Sequence, residues 1–357
     1  MLVGLYIPQR TNATNDMHAL DQLEAEYFGR ALRLLRKVNK DTDFICFSEN
    51  KQMSVCDAIP TYPIKKRGGF FHPATGHAPS LEQMLRHHNV DVLLTPIDAP
   101  PVKTSIPKIL FALDMIFPGS PPPKNKLHPV VPRAAKRNCL EARLILCPST
   151  YMQKACSSYA DVGLEKTVLA QTGVNPSFSD THPSIIDGNY MLFPMNRYTC
   201  PYIDTVTNAI QRNPDLFAPN LVVMGAVSKK EPENWGVPII RVEKCPDDIL
   251  STLLQNADAV LYPAQGDGNG MLALQALRAG ATLLTSKSGA NYELAGTVPF
   301  YFEADNPVSL LQIMRRMLDE SSEERKKRKQ AGRTLVTDCT WEKCASKIIS
   351  TIKRSLL

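Results

Sequence analysis

A chain of 357 residues is too long for one ordinary core and suits two domains. Its 43% hydrophobic fraction is that of a folded globular protein. It has no run of the roughly 18 apolar residues that a membrane span needs, and its start, MLVGLYIPQR, lacks the basic-then-apolar pattern of a secretory leader. The net charge of +6, without interleaved aromatic residues, is too modest for a dedicated nucleic-acid binder.

Nine scattered cysteines, an odd number without a CxxC pair, argue against a zinc site or a disulfide framework. Reduced thiols of a cytoplasmic protein are the expectation. Local basic clusters stand at Arg30 to Lys40, at Arg133, Lys136 and Arg137, and at Lys353 with Arg354. They read either as solvated helix faces or as contacts to anionic lipid or a phosphate-bearing ligand.

In chain order, residues 1–7 read as an opening strand and 19–38 as an amphipathic helix. Strands follow at 43–49, 91–96, 108–114 and 143–149, with helices at 80–89, 128–142 and 150–160. Residues 167–173 close this half. The segment 175–189, rich in Pro, Ser, Asp and Asn, reads as a linker. The pattern then restarts. Strands are predicted at 190–195, 220–225, 258–264 and 281–289, and helices at 205–213, 247–257, 270–280, 307–320 and 340–357. Strands alternating with helices predict α/β architecture with parallel sheets. Two Rossmann-like domains facing a central cleft are expected, 1–184 and 185–340, with a terminal helix at 341–357 packing back on the first; a cleft between two such domains is a common ligand site.

The informative stretch is Asp258 to Gly296, DAVLYPAQGDGNGMLALQALRAGATLLTSKSGANYELAG. A strand ends at Tyr262 and Pro263. The loop Gly266-Asp267-Gly268-Asn269-Gly270 then opens directly into a helix. Glycines permit close backbone approach, and free amides at a helix start make an anion site, so a diphosphate could sit there without a metal. Simple packing is the competing reading of such a loop.

This stretch resembles the donor-binding region of the retaining GT-B glycosyltransferases, GT4-like (glycosyl transferases group 1). That family has a strand ending in Pro-Ser, an EGFG-like loop, a helix with a second Glu, a small-residue stop, a strand, and a closing Gly-to-Glu element. Asp267 stands at the first Glu and Gln275, eight residues on, at the second. Gly268-Asn269-Gly270 replaces Gly-Phe-Gly, Gly280 is the stop, and Gly289 with Glu293 matches the closing element. DVLLTPIDAPP, LILCPSTYMQKAC, GVNPSFSD and TDCTWEKCA extend the likeness over the chain.

The resemblance implies a metal-independent, retaining transfer of a sugar from a nucleotide diphosphate donor to a hydroxyl of a glycan, lipid or small molecule. The donor would be a substrate, with no cofactor. Donor contacts would come from Gly266, Gly268, Asn269, Gly270, Met271, Gln275, Gly289 and Glu293. Asp267, Arg197 and Asp114 would be the catalytic set. The pattern departs from the family in several places. Both Glu positions are substituted, MNRYTCPYID offers Arg197 but no Lys after it, and Leu113-Asp114 stands where His-Asp is common. The first loop lacks glycine; cations near it or near the linker, Arg10 among them, would be the substitutes. These departures favour an alternative, an inactive scaffold or nucleotide-sugar-binding protein on the same fold. A sugar-nucleotide epimerase would need a different acidic and histidine set.

Several other motifs are weaker. DTD at 41–43 resembles a metal-binding motif of another transferase fold, but it stands at a helix-to-strand turn where acidic residues are ordinary. His72 and His77 fall in a Gly/Pro-rich loop, and His87 and His88 at a helix end. Lys124 and Lys126 fall in an exposed loop. No P-loop, dinucleotide fingerprint or nucleophile elbow occurs. A cytoplasmic protein is expected, with peripheral contact to anionic membrane through the basic helix of the first domain.

Overall fold

The computed structural model describes residues 1–8, 29–31, 33–35, 39–49, 59–64, 80–113, 130–196, 198–225, 231–243 and 245–357. The described residues up to Thr172, with Trp341–Leu357, form one compact unit, and Gly173–Thr340 form another.

The first unit is built on β1 (Leu2–Ile7), β2 (Asp43–Ser48), β3 (Thr61–Pro63), β4 (Val92–Pro96), β5 (Lys108–Phe111), β6 (Leu144–Cys147) and β7 (Thr167–Leu169). They form a seven-stranded sheet in the order β3-β2-β1-β4-β5-β6-β7. Every pairing is parallel. Most of these strands are short, almost wholly buried apolar runs, as both-face coverage by helices requires. The helices of this unit include α1 (Leu81–His87), α2 (Val130–Glu141) and α3 (Thr150–Ala160). A reciprocal capping box between Ser80 and Gln83 starts α1, and Ser149 caps α3 through the Met152 amide. Lys108, nearly buried at the start of β5, is neutralised by Glu141 of α2 at 2.5 Å. The buried Asn138 amide ties α2 to the carbonyls of Ile97 and Ala99 at 3.0 and 2.7 Å.

The second unit carries β8 (Tyr190–Pro194), β9 (Asn220–Met224), β10 (Ile239–Val242), β11 (Ala259–Tyr262), β12 (Leu283–Ser286) and β13 (Phe300–Phe302). The sheet order is β10-β9-β8-β11-β12-β13, again parallel throughout. Its helices are α4 (Ile203–Arg212), α5 (Asp247–Asn256), α6 (Met271–Ala279), α7 (Gly289–Ala295), α8 (Pro307–Leu318) and α9 (Ser322–Leu335). The chain then returns to the first unit as α10 (Trp341–Ser355), which packs on β5 and β6. The sequence expectation of α/β architecture with two parallel sheets is met.

Residues 175–189, linker-like in composition, pack as part of the second unit. Phe178 is fully buried in its core, and Gln255 of α5 donates to the carbonyls of Phe178 (3.0 Å) and Asp180. The predictions omitted β3, β10, β13, α7 and α9. Edge strands β3 and β10 are half-exposed and lack the buried apolar run. Helix α9, SEERKKRKQAGRTL, buries only Gly332 and shows no apolar stripe; a Ser321–Glu324 capping box marks its start. The strand predicted for 108–114 ends at Phe111.

Candidate functional site

Both sheets reverse strand order between their first and fourth strands, at β1/β4 and at β8/β11. In doubly wound sheets ligands bind outside the carboxyl ends of strands at such a reversal. At β8/β11 the two strand ends are joined by side chains. Asn196, two residues beyond β8, donates through Nδ2 to the hydroxyl of Tyr262, the last residue of β11, at 3.4 Å. That hydroxyl donates in turn to Asp267 Oδ2 at 3.1 Å.

The other Asp267 oxygen organises the loop. Oδ1 accepts the amides of Asn269 (3.1 Å) and Gly270 (3.0 Å), and Asn269 Oδ1 accepts the amide of Met271 at 2.8 Å. These are short-range turns of the kind Asp and Asn side chains form with the backbone just ahead of them. Gly270, with φ 59°, caps α6, and Gly280, with φ 73°, ends it. Helix α7 closes against the loop. The Ala290 amide donates to Asp267 O at 2.8 Å, Ser288 Oγ accepts the Gly266 amide at 3.3 Å, and Ser286 Oγ donates to Ala264 O. Gly289 is required there: its φ is 60°, and a Cβ would stand 2.5 Å from Asp267 O.

The structure thus brings together Gly266, Asp267, Gly268, Asn269, Gly270, Met271, Gln275, Gly289 and Glu293 on one loop and two helices beside the β8/β11 reversal. It also corrects one expectation. The amides of Asn269, Gly270 and Met271, read as open to a diphosphate, are taken by the side chains of Asp267 and Asn269. The aspartate folds onto its own loop. Among the described residues, the amides of Leu272 and Ala273 in the first turn of α6 find no acceptor.

Gln275 lies on α6, one turn beyond Met271, and is 7% exposed. No described residue bonds its amide. Two polar groups at this end of the sheet are buried without a partner among the described residues: Thr285 Oγ1 on β12 and both amide atoms of the fully buried Asn291 on α7. Such groups are costly unless something bonds them. Glu293 is exposed on α7. Lys287, the residue after β12, is exposed and sits with its ammonium 4.5 Å from the centre of the Tyr292 ring. Among the described residues no cluster of His, Cys, Asp or Glu side chains is arranged to hold a metal ion. None of their helices is long and apolar enough to cross a membrane.

Arg197 and Asp114 lie outside the described residues, as do Arg10, His72, His77, Lys124 and Lys126. Sequence reasoning missed Tyr262 and Asn196 as loop holders, together with Asn291. A tyrosine closing a strand just before a Gly-rich loop was the available signal for Tyr262. Asn196 pairs with it across 66 positions, so nothing local pointed to the contact.

No protein-family model matches the sequence, and no curated protein does. Solved structures match over nearly their whole length. A glycosyltransferase from Rickettsia africae ESF-5 gives a TM-score of 0.70 at 12% identity, covering 99% of this chain and 98% of that one. The Anabaena protein HepE in complex with UDP and glucose gives 0.69 at 13%, covering 98% and 99%. WaaG, a glycosyltransferase involved in lipopolysaccharide biosynthesis, gives 0.69 at 14%, covering 99% of each chain. The fold is that of the two-domain GT-B glycosyltransferases.

Proposed function

We propose that the chain is a GT4-like, retaining, metal-independent glycosyltransferase that takes its sugar from a nucleotide diphosphate donor bound at the β8/β11 reversal. The observation that carries this reading is Gln275. The residue is 7% exposed, no described residue bonds its amide, and it stands eight positions after Asp267 at the strand-end crevice where such sheets take nucleotides. A ribose diol would satisfy it. The binding of UDP and glucose by HepE, a structure of the same fold, supports UDP as the first donor to test.

In this reading the diphosphate lies over the first turn of α6, where the Leu272 and Ala273 amides and the helix dipole favour negative charge. That preorganised positive end stabilises the charge that develops as the nucleotide departs. Asp267 is a positioning residue, because both its oxygens already hold protein groups. Arg197 and Asp114 keep the roles that the family likeness gives them, cation at the diphosphate and acidic group on the acceptor side. The acceptor is a hydroxyl of a glycan, lipid or small molecule in the cytoplasm or at the inner membrane face.

A second reading, a nucleotide-sugar-binding scaffold without turnover, is favoured by the occupied amides of Asn269, Gly270 and Met271. Calorimetric titration with UDP, GDP, ADP and their sugar conjugates tests both. Selective binding that weakens in Gln275→Ala, with release of free sugar or transfer to an acceptor, supports the transferase. Binding without turnover supports the scaffold. Absence of binding across the panel sinks both.

A further inference from the structure

A surface pocket of about 500 Å3 in the first unit, open to solvent on one side, is lined by Arg143, Glu165, Lys166, Arg354 and Leu357. The three cations arrive from distant positions. Arg143 immediately precedes β6, Lys166 ends the 3-10 turn Leu164–Lys166 that leads into β7, and Arg354 lies in the last turn of α10. The cavity therefore sits at the amino-terminal edge of the sheet, the edge opposite the carboxyl ends where these sheets take their usual ligands.

Among the described residues, none of the three forms an ion pair with a carboxylate. Arg354 Nη2 donates to the Glu165 carbonyl at 3.0 Å, leaving the rest of its fork uncommitted. Lys166 Nζ donates to the carbonyls of Cys139 (3.1 Å) and Leu140 (2.7 Å) near the end of α2, leaving one of its three protons. The guanidinium of Arg143 is exposed and has no bond among the described residues. The Glu165 carboxylate, also on the wall, folds back over Gly163, where a Cβ would collide with it. Burial draws the Lys166 ammonium below its ordinary value, so an incoming anion would be welcome there.

We propose that this cavity binds a phosphate monoester, carried by a small soluble molecule or by a lipid headgroup, through the Arg143 and Arg354 guanidiniums and the Lys166 ammonium. The guanidinium fork matches phosphate oxygens two at a time, and a dianion suits three cations better than a carboxylate or a diester does. None of these residues belongs to the second unit, so the site stands independently of the transferase reading.

The test has two arms, each run on the wild type and on Arg143→Ala/Arg354→Ala. Inorganic phosphate and glucose 6-phosphate are titrated calorimetrically. Phosphatidylcholine vesicles with and without phosphatidic acid are used in flotation. Binding in the first arm identifies a soluble ligand, and flotation only with phosphatidic acid identifies a headgroup. In either case the variant should bind weaker by about tenfold per guanidinium removed. Arg143→Gln, which leaves the Arg354 bond to Glu165 in place, is the second variant and should lose about tenfold alone. Equal binding by wild type and both variants, or no binding in either arm, overturns the proposal.

Discussion

The carboxylate of Asp267 accepts the backbone amide of Gly270 at 3.0 Å, so the second residue of the glycine-rich loop also holds the start of the helix that follows it. Its second oxygen takes the Tyr262 hydroxyl. The side chain is 2% exposed, and its removal would strand two amides and a phenol.

Asp267→Ala is therefore expected to destabilise the second unit by about 3 kcal/mol. That corresponds to a fall in Tm of roughly 6–12 °C for a unit of this size. Thermal unfolding followed by circular dichroism measures it. A variant with unchanged Tm and abolished turnover would instead give Asp267 a direct catalytic role.

Gly289→Ala places a methyl group 2.5 Å from Asp267 O at a φ of 60°. The left-handed backbone alone costs an L-residue about 1–2 kcal/mol, and the loop must move as well. UDP affinity should fall further than stability does. Parallel calorimetry and thermal melts separate the two, and intact affinity would show that α7 and the loop do not serve the donor.

Gln275→Glu places a carboxylate at this point of the helix. A charged acceptor bonds ribose hydroxyls roughly twice as strongly as a neutral one, so UDP should bind several times tighter, about 1 kcal/mol. A titration in which Gln275→Glu binds more weakly than wild type would place the nucleotide elsewhere.

Stability in acid should depend on Glu141. Its hydrogen bond from Lys108, then that from Arg137, holds its carboxyl below the ordinary 4.5. A depressed carboxylate contributes stability that is full above pH 4.5 and lost as the pH falls below it. Glu141→Gln should flatten that acid limb and lower stability near neutrality by about 1–3 kcal/mol, because Lys108 keeps its charge and its bond to the Val102 carbonyl but loses its counter-charge. Urea midpoints from pH 3 to 7 for both proteins check this; parallel acid limbs would assign the effect to other groups.

Much of the architecture was legible. Runs such as YMLFP and AVLY, separated by amphipathic helices, specify parallel strands buried on both faces. The Gly266–Gly270 loop declared itself by its place between the strand end at Tyr262 and the helix of which Gly280 is the stop. Strand β10 and helix α9 escaped because neither shows a buried face to pattern the sequence.

What the sequence by itself determined is thus the class of fold, two parallel α/β sheets, and the position in the chain of the glycine-rich loop, since both rest on local periodicity and backbone chemistry. Only the tertiary structure decided which of that loop's amides are already bonded, that Asn196 and Tyr262 hold it in place, and that Arg143, Lys166 and Arg354 share one cavity. Hydrogen-bond partners and charge clusters are made by chain segments up to 211 positions apart, from Arg143 to Arg354, that meet only when strands and the terminal helix pack. No short-range pattern encodes such meetings.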